Sequence, residues 1–309
     1  MSFSMRHGLM PAVIAIVLTG CAGTGLLDGG APAEPGPPLP PAELPPYAEG
    51  DAFQFDNGVT HHVEGRRDGL VAWGIGDSYD YLADPDFTRP RLSWRWAQED
   101  KNTITSGDAE LVSQTGSLWP LRVGNSADYV YRFVSRNETA GTVGDPYLIR
   151  YSCRVPNTAR VEVPEGTYDT YRVVCDEYWR QRHWQTETWH YAPAVGHVVR
   201  HEVRQWLGTN WSTLELTAAG PAPAFLPADQ RARLAEAVQA ALESNRSGDP
   251  LAVDAGPLNI QVTPTTTWKT DAGVFCRRYE QTLTARGRTS IQQGMACRMG
   301  DGVWASPEA

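Results

Sequence analysis

Cys276 and Cys297 stand at equal distances on either side of Arg286-Gly287, and this symmetry constrains the end of the chain more tightly than any other feature. With Arg286 and Gly287 as the two loop residues of a hairpin, Ala285 faces Arg288, and nine further steps outward bring Cys276 opposite Cys297. Directly opposed residues of an antiparallel pair have Cα atoms about 4.5–5.5 Å apart, within disulfide reach. The neighbouring pattern agrees. Thr265 to Lys269, Val274 to Thr284 and Thr289 to Arg298 read as strands, and Asp271-Ala272-Gly273 and Gly300-Asp301-Gly302 read as turns. Ahead of them Asp229 to Asn245 is a helix, with Leu234, Val238, Ala241 and Leu242 on one stripe. Asp229 suits the positive end of its dipole, and Ser247-Gly248 ends it.

Residues 51–219 carry the signals of strands and turns. Phe53, Phe55, Val59 and Val63 open a β region punctuated by Asn57-Gly58. Asp80 to Arg91 reads as a loop, and Tyr129, Tyr131 and Phe133 line one face of a strand. Arg160 to Val163 leads into Pro164-Glu165-Gly166 and back through Thr167 to Cys175. In that hairpin Pro presets the first turn position and Gly supplies a positive φ. Cys153 and Cys175 flank it almost symmetrically. A second hairpin runs from Trp184 to Tyr191, turns at Ala192 to Gly196, and returns from His197 to Trp206. The fold class is mainly β (α+β): an antiparallel sheet domain over 51–219, then a small helix-plus-β-meander domain over 225–306.

The first residues form an address. Arg6 precedes an apolar stretch from Leu9 to Leu18, too short to span a bilayer. The run Leu18-Thr19-Gly20-Cys21 then resembles the bacterial lipoprotein box. The resemblance implies a signal peptide over 1–20, acylation of Cys21 and a stable membrane anchor, since two or more chains hold where one does not. Ala22 stands where the box rule reads an inner-membrane retention Asp, so the resemblance implies the outer membrane, with the protein facing periplasm or cell surface. Residues 21–50, with Pro32, Pro35, Pro37, Pro38, Pro40, Pro41, Pro45 and Pro46, predict an extended tether lifting the folded part off the headgroups. With Cys21 assigned to lipid, four of the five cysteines remain, an even set suited to an oxidising compartment. Of three connectivities, Cys153–Cys175 and Cys276–Cys297 are the local ones. A net charge of −9 makes the chain a poor partner for nucleic acid.

Two further resemblances follow. Val163 to Tyr168 and Trp189 to Gly196 resemble paired hairpin motifs of bacterial envelope domains of unknown function, implying a curved antiparallel sheet. At the far end, Cys276-Arg277-Arg278-Tyr279, Gly294-Met295-Ala296-Cys297-Arg298 and Asp301-Gly302-Val303-Trp304 follow the helix in order. This resembles the C-terminal domain of the rickettsial low-molecular-weight surface antigen family of outer-membrane lipoproteins. The glycine-zipper segment frequent in that family has no counterpart here. Its tryptophan-asparagine-proline stretch is replaced by Val253-Asp254-Ala255-Gly256-Pro257, which leaves the loop after the helix unassigned.

Chemistry is sparse. Gly-x-Ser-x-Gly and phosphate-cradling glycine loops are absent from the sequence. His183, His190, His197 and His201 crowd one region, but His197 and His201 on one strand lie about 13 Å apart, too far for one ion. They read as hairpin-surface histidines, with no metal or cofactor. Glu162, Glu177, Glu187 and Glu202 read as solvated strand faces. Eleven Trp and twelve Tyr against seven Phe suit part-buried β surfaces. Trp179, Trp184, Trp189 and Trp206 are the candidate ligand-binding residues; the expectation is that core and loops cover them. The sequence therefore predicts a non-enzymatic envelope lipoprotein with a structural or protein-interaction role, meeting another envelope protein or peptidoglycan. The alternative is a module binding glycan, peptidoglycan or a small ligand.

Overall fold

The computed structural model describes residues 34–206 and 211–307, so Cys21, Ala22 and the lipoprotein box lie outside the described residues. Fourteen strands form the larger sheet: β1 (Glu34–Pro35), β2 (Asp51–Phe55), β3 (Thr60–Arg67), β4 (Leu70–Ile75), β5 (Tyr79–Ala83), β6 (Ser93–Gln98), β7 (Thr103–Ser117), β8 (Ser126–Asn137), β9 (Thr142–Val143), β10 (Tyr147–Val163), β11 (Gly166–Trp179), β12 (Arg182–Ala192), β13 (His197–Gln205) and β14 (Trp211–Pro221). All pairings are antiparallel. β14 pairs back onto β2, and β10 pairs with both β11 and β8, so the sheet closes on itself as a barrel. Closure leaves β2 to β8 and β10 to β14 without free edges, the usual remedy for exposed ladder groups. The interior holds two clusters, one around Phe53, Val63, Trp73 and Leu216, the other around Leu118, Leu121, Tyr129 and Tyr171. Outward positions pair charges across strands, as in Arg132–Glu110 at 3.3 Å and Arg154–Asp176 at 2.8 Å, a face suited to water.

Register explains the first disulfide. The β10–β11 turn is Pro164-Glu165, with Val163 opposite Gly166. Gly166 opens a strand and takes no positive φ, unlike the sequence expectation. Plain counting from this turn would set Cys153 opposite Asp176. A bulge between Arg154 and Asn157, where Pro156 has no N–H to give the ladder, shifts the register by one and sets Cys153 opposite Cys175. The two are bonded with Cα atoms 4.0 Å apart inside the barrel. Asp80 also differs from expectation. It lies in β5 with Tyr79 and Tyr81, and the loop begins only at Asp84.

From Glu34 onward the proline-rich segment packs on the barrel, and residues 21–33 of the expected tether lie outside the described residues. Glu34 and Pro35 pair with Arg160 and Ala159. The Tyr171 hydroxyl donates to the Pro40 carbonyl at 2.8 Å, and Ala42 and Leu121 exchange backbone hydrogen bonds. Tyr47 is buried, and its hydroxyl meets His197 Nδ1 at 2.7 Å. Proline cannot donate to a ladder, but its carbonyl accepts, and this segment uses that half of the chemistry.

The smaller sheet is a meander of β15 (Leu251–Ala255), β16 (Leu258–Lys269), β17 (Phe275–Ala285), β18 (Arg288–Arg298) and β19 (Trp304–Ala305), with helix α1 (Ala228–Ser244) packed on it. The unassigned stretch after the helix is the β15–β16 hairpin, turning at Gly256-Pro257 with Gly256 at φ 74°. Arg286 and Gly287 both take positive φ, the geometry of a tight two-residue turn, and Cys276 is bonded to Cys297. α1 has no basic residue in its last turn. Arg277 of β17 supplies the cation, donating to the carbonyls of Leu242 at 2.5 Å and Asn245 at 2.8 Å. Arg298 clasps Glu243, which also accepts from Trp304 Nε1 at 3.0 Å.

The two sheets belong to one compact unit and meet at Asp51, which is fully buried. Its carboxylate accepts from Arg288, from Arg286 at 2.6 Å and from the Ala48 N–H at 3.0 Å. Arg288 also donates to the Val195 carbonyl at 3.1 Å, and Ser290 to that of Pro221. Removing one partner of a buried pair strands the other charge, at a cost of about 3–5 kcal/mol. Asp51→Asn is expected to lower urea-unfolding stability by about 3 kcal/mol, and Arg286→Gln, whose side chain is partly exposed, by clearly less. Equal small losses in both would refute the role given to Asp51.

Candidate functional site

The barrel interior is not filled. A cavity of about 510 Å³ lies between its walls. The floor is built from Tyr47, Trp73 and His197, together with the β5–β6 loop, which folds inward. That loop is held by its own carboxylates. Asp84 accepts from the Asp86 N–H at 2.9 Å. Asp86 is buried and accepts from the Thr88 N–H at 3.0 Å and hydroxyl at 2.6 Å, and from the Tyr129 hydroxyl at 3.3 Å. Phe87, carried between them, stacks on Tyr191 at 5.4 Å. The walls are largely aromatic, with Tyr81, Trp94, Tyr151 and Trp189 among them. Tyr147, Val203 and Leu214 also line the cavity and lie within a few residues of the ends of β10, β13 and β14. The cavity therefore runs toward the barrel end away from Asp51.

One wall carries a polar strip. Gln185 Nε2 bridges Glu177 at 3.0 Å and Glu187 at 2.8 Å, and Glu187 meets His201 Nε2 at 2.9 Å. Burial, with the Glu187 carboxylate second, pushes Glu177 up to about 7. Burial, with these two carboxylates beside it, also pushes the Tyr151 hydroxyl well above the usual phenol range. The expectation of solvated carboxylates thus fits exposed Glu162 but not Glu177 and Glu187, because closing the sheet covers the face they share.

The histidines are likewise not surface residues. His197 is buried and stacked on Phe53 at 3.7 Å. Burial first, then His61 and Arg288, hold it well below the ordinary imidazole range. His190 is buried and pushed down to about 3, by burial and then by Arg200 and Arg172. His61, missed in the sequence, lines the cavity and is pushed down to about 4 by burial and then Arg91. His183 and His201 are half-buried. Among the described residues no group of three His, Cys, Asp or Glu side chains is placed to hold a metal ion.

The four candidate tryptophans divide. Trp189 lines the cavity, its ring parallel to His201 at 5.2 Å. Trp179 and Trp184 sit edge to face at 6.1 Å where β11 turns into β12, and Trp206, just after β13, is 70% exposed. Trp179, Trp184 and Trp206 are exposed, contrary to the expectation that core and loops cover them. They stand at strand ends, beyond the reach of the packed interior. Among the cavity residues that sequence reasoning missed, the longest run belongs to Asp84–Arg91. Two aspartates spaced to bond N–H groups two residues on, around an apolar Phe87, were the available signal for a structured loop.

Fold and cavity together define a closed antiparallel barrel with an aromatic-lined interior, joined to a helix-on-meander unit. Residues 240–305 match the family model described as 17 kDa outer membrane surface antigen. Over 80 residues the chain is 39% identical to the 17 kDa surface antigen of Rickettsia felis and 40% identical to that of Rickettsia prowazekii, covering 25% of this chain and 50% of each relative. The C-terminal region is thus similar to the rickettsial surface antigens, and the chain spans about half the length of the curated relatives it matches. No solved structure matches. The matched segment contains Arg277, Arg298 and Trp304, whose contacts clamp helix to sheet, and the Cys276–Cys297 disulfide that ties β17 to β18. The cavity lies outside it.

Buried neutral histidines set the pH response. The unfolded chain protonates them near 6.5, whereas the folded chain does so only at about 4 for His61 and about 3 for His190. The unfolded state binds more protons in this window, so their contribution is full above pH 6.5 and is lost as pH falls toward the folded values. Glu177 acts in the opposite sense: its folded value of about 7 against 4.5 removes stability as pH rises through that interval. Thermal unfolding is expected to show Glu177→Gln gaining on the parent chain between pH 4.5 and 7, and His190→Gln losing less than the parent from pH 6.5 to 4. Parallel profiles for all three proteins would contradict this assignment.

Proposed function

We propose that the protein is a non-enzymatic, lipid-anchored component of the bacterial cell envelope whose barrel binds a small, mainly apolar ligand. The cavity of about 510 Å³ with aromatic walls carries the binding part of this reading, being of the size and lining that small-molecule sites have. The lipoprotein box at Cys21 supports the anchor, and Ala22 supports the outer membrane. The similarity of the C-terminal region to proteins named surface antigens supports an envelope or surface location. In this reading the helix-on-meander unit braces the barrel end at Asp51, and the opposite end admits ligand. Exposed Trp179, Trp184 and Trp206 at that opposite end favour a second reading, a docking edge for another envelope protein or for peptidoglycan.

Cells given labelled palmitate are expected to label the chain, and Cys21→Ala is expected to abolish the label; a labelled C21A chain would end the anchoring proposal. The full chain carrying Cys21→Ser needs no detergent. It is expected to bind N-phenyl-1-naphthylamine saturably, with Kd of about 1–10 μM. Leu214→Trp, which places a large ring into the cavity, is expected to remove that binding. Binding unaffected by L214W would place the probe elsewhere and refute the cavity reading.

A further inference from the structure

We infer that the ligand of the barrel carries an anionic group and that Arg91 is the residue that receives it. The inference rests on the cavity being a binding site and adds the chemistry of one end of the ligand.

Two arginines line the cavity. Arg89 is committed: its guanidinium lies 3.2 Å from Asp84 and 3.4 Å from Asp86. Arg91 has no carboxylate within ion-pair distance among the described residues. Its guanidinium lies over the rings of Tyr79 at 4.6 Å and Tyr81 at 4.7 Å, and one Nη donates to the Tyr79 hydroxyl. Stacking on two rings fixes the guanidinium plane and leaves its other in-plane N–H groups available. Such a fork is matched by the two oxygens of a carboxylate, sulfonate or phosphate.

The surroundings agree. Among the described residues the other ionisable groups of the cavity wall already have partners: Asp84 is ion-paired with Arg89, and Glu187 is hydrogen-bonded to His201 and Gln185. His61 and His197, also in the lining, are held neutral by burial, with a nearby arginine contributing in each case. Arg91 is thus the cation of the cavity lining that has no carboxylate partner among the described residues, set against an apolar aromatic enclosure in a chain whose net charge is −9. A flat or acyl body fits the aromatic walls, and an acidic head completes the fork. An uncharged ligand leaves the guanidinium unmatched at the cavity wall; an amine places a second cation beside it.

Two probes with the same ring system separate the claims. N-phenyl-1-naphthylamine is neutral, and 1-anilinonaphthalene-8-sulfonate adds a sulfonate. Both are titrated by fluorescence into the full Cys21→Ser chain and into its Arg91→Gln, Arg91→Lys and Leu214→Trp derivatives. The sulfonate is expected to bind about tenfold tighter than the neutral probe, about 1.4 kcal/mol. R91Q is expected to erase that margin while leaving the neutral probe within about twofold, and R91K to restore part of it. L214W is expected to remove both. Neutral binding that L214W abolishes, with no sulfonate preference or a preference indifferent to R91Q, would overturn the Arg91 inference and leave the cavity reading standing. Failure of both probes to bind, or binding indifferent to L214W, would overturn the two together. Unchanged thermal unfolding of R91Q assures that its loss is a loss of contact.

Discussion

Asp51 is the group on which the architecture turns. A fully buried carboxylate is costly unless several donors meet it, and here three donors come from two separate parts of the chain. Ala48 brings the proline-rich segment, and Arg286 and Arg288 bring the turn of the C-terminal meander. Asp51 itself begins β2 and pairs with Pro221, so it sits on the seam where the last strand of the barrel closes on the first. Phe53, two residues on, lies beneath Arg288 on one side and against His197 on the other. The cavity floor is therefore continuous with the junction. A barrel closed at that seam and braced at that end keeps its open volume at the other.

The position of this knot assigns different work to the two parts of the chain. In the C-terminal unit, the residues shared with the rickettsial antigen pattern meet one another. Arg277 neutralises the helix end, Arg298 and Trp304 grip Glu243, and Tyr279 lies so close to Gly294 that a Cβ there would come within 2.3 Å of its ring. The Arg277, Arg298 and Trp304 contacts fix the helix to the sheet, and the Tyr279–Gly294 pair packs β17 against β18. The barrel holds the open, aromatic, unevenly charged space. The residues matched by the surface-antigen model, 240–305, lie in the brace, and the candidate site lies outside them.

What the sequence made legible was local. The Arg286-Gly287 turn predicted the pairing of Ala285 with Arg288 and of Cys276 with Cys297, because hairpin register propagates from a two-residue turn without further information. The helix was equally readable from its stripe. Cys153 and Cys175 were less so, since their opposition depends on a bulge at Val155-Pro156 that no periodicity announces. Closure was not readable. β14 meets β2 through contacts between residues far apart in sequence, and that pairing, with β10 shared between β8 and β11, decides which strand faces are covered. That is why His197 and Glu177 read as surface residues and prove enclosed. Alternation set neighbouring tryptophans on opposite faces but did not tell which face would be lined. Proline content marked residues 21–50 as unable to form a ladder, yet gave no sign that the carbonyls of Leu39 and Pro40 would serve Tyr171.

The central claim is that the barrel is a container for a small anionic, mainly apolar molecule. Native mass spectrometry of the full Cys21→Ser chain, secreted into a bacterial periplasm and purified without detergent, tests it most directly. The account predicts a population carrying one additional mass of a few hundred daltons, released by organic solvent, detected as an anion and absent from the Leu214→Trp chain. Only the bare polypeptide mass in both chains, or an adduct equally present in both, would contradict it.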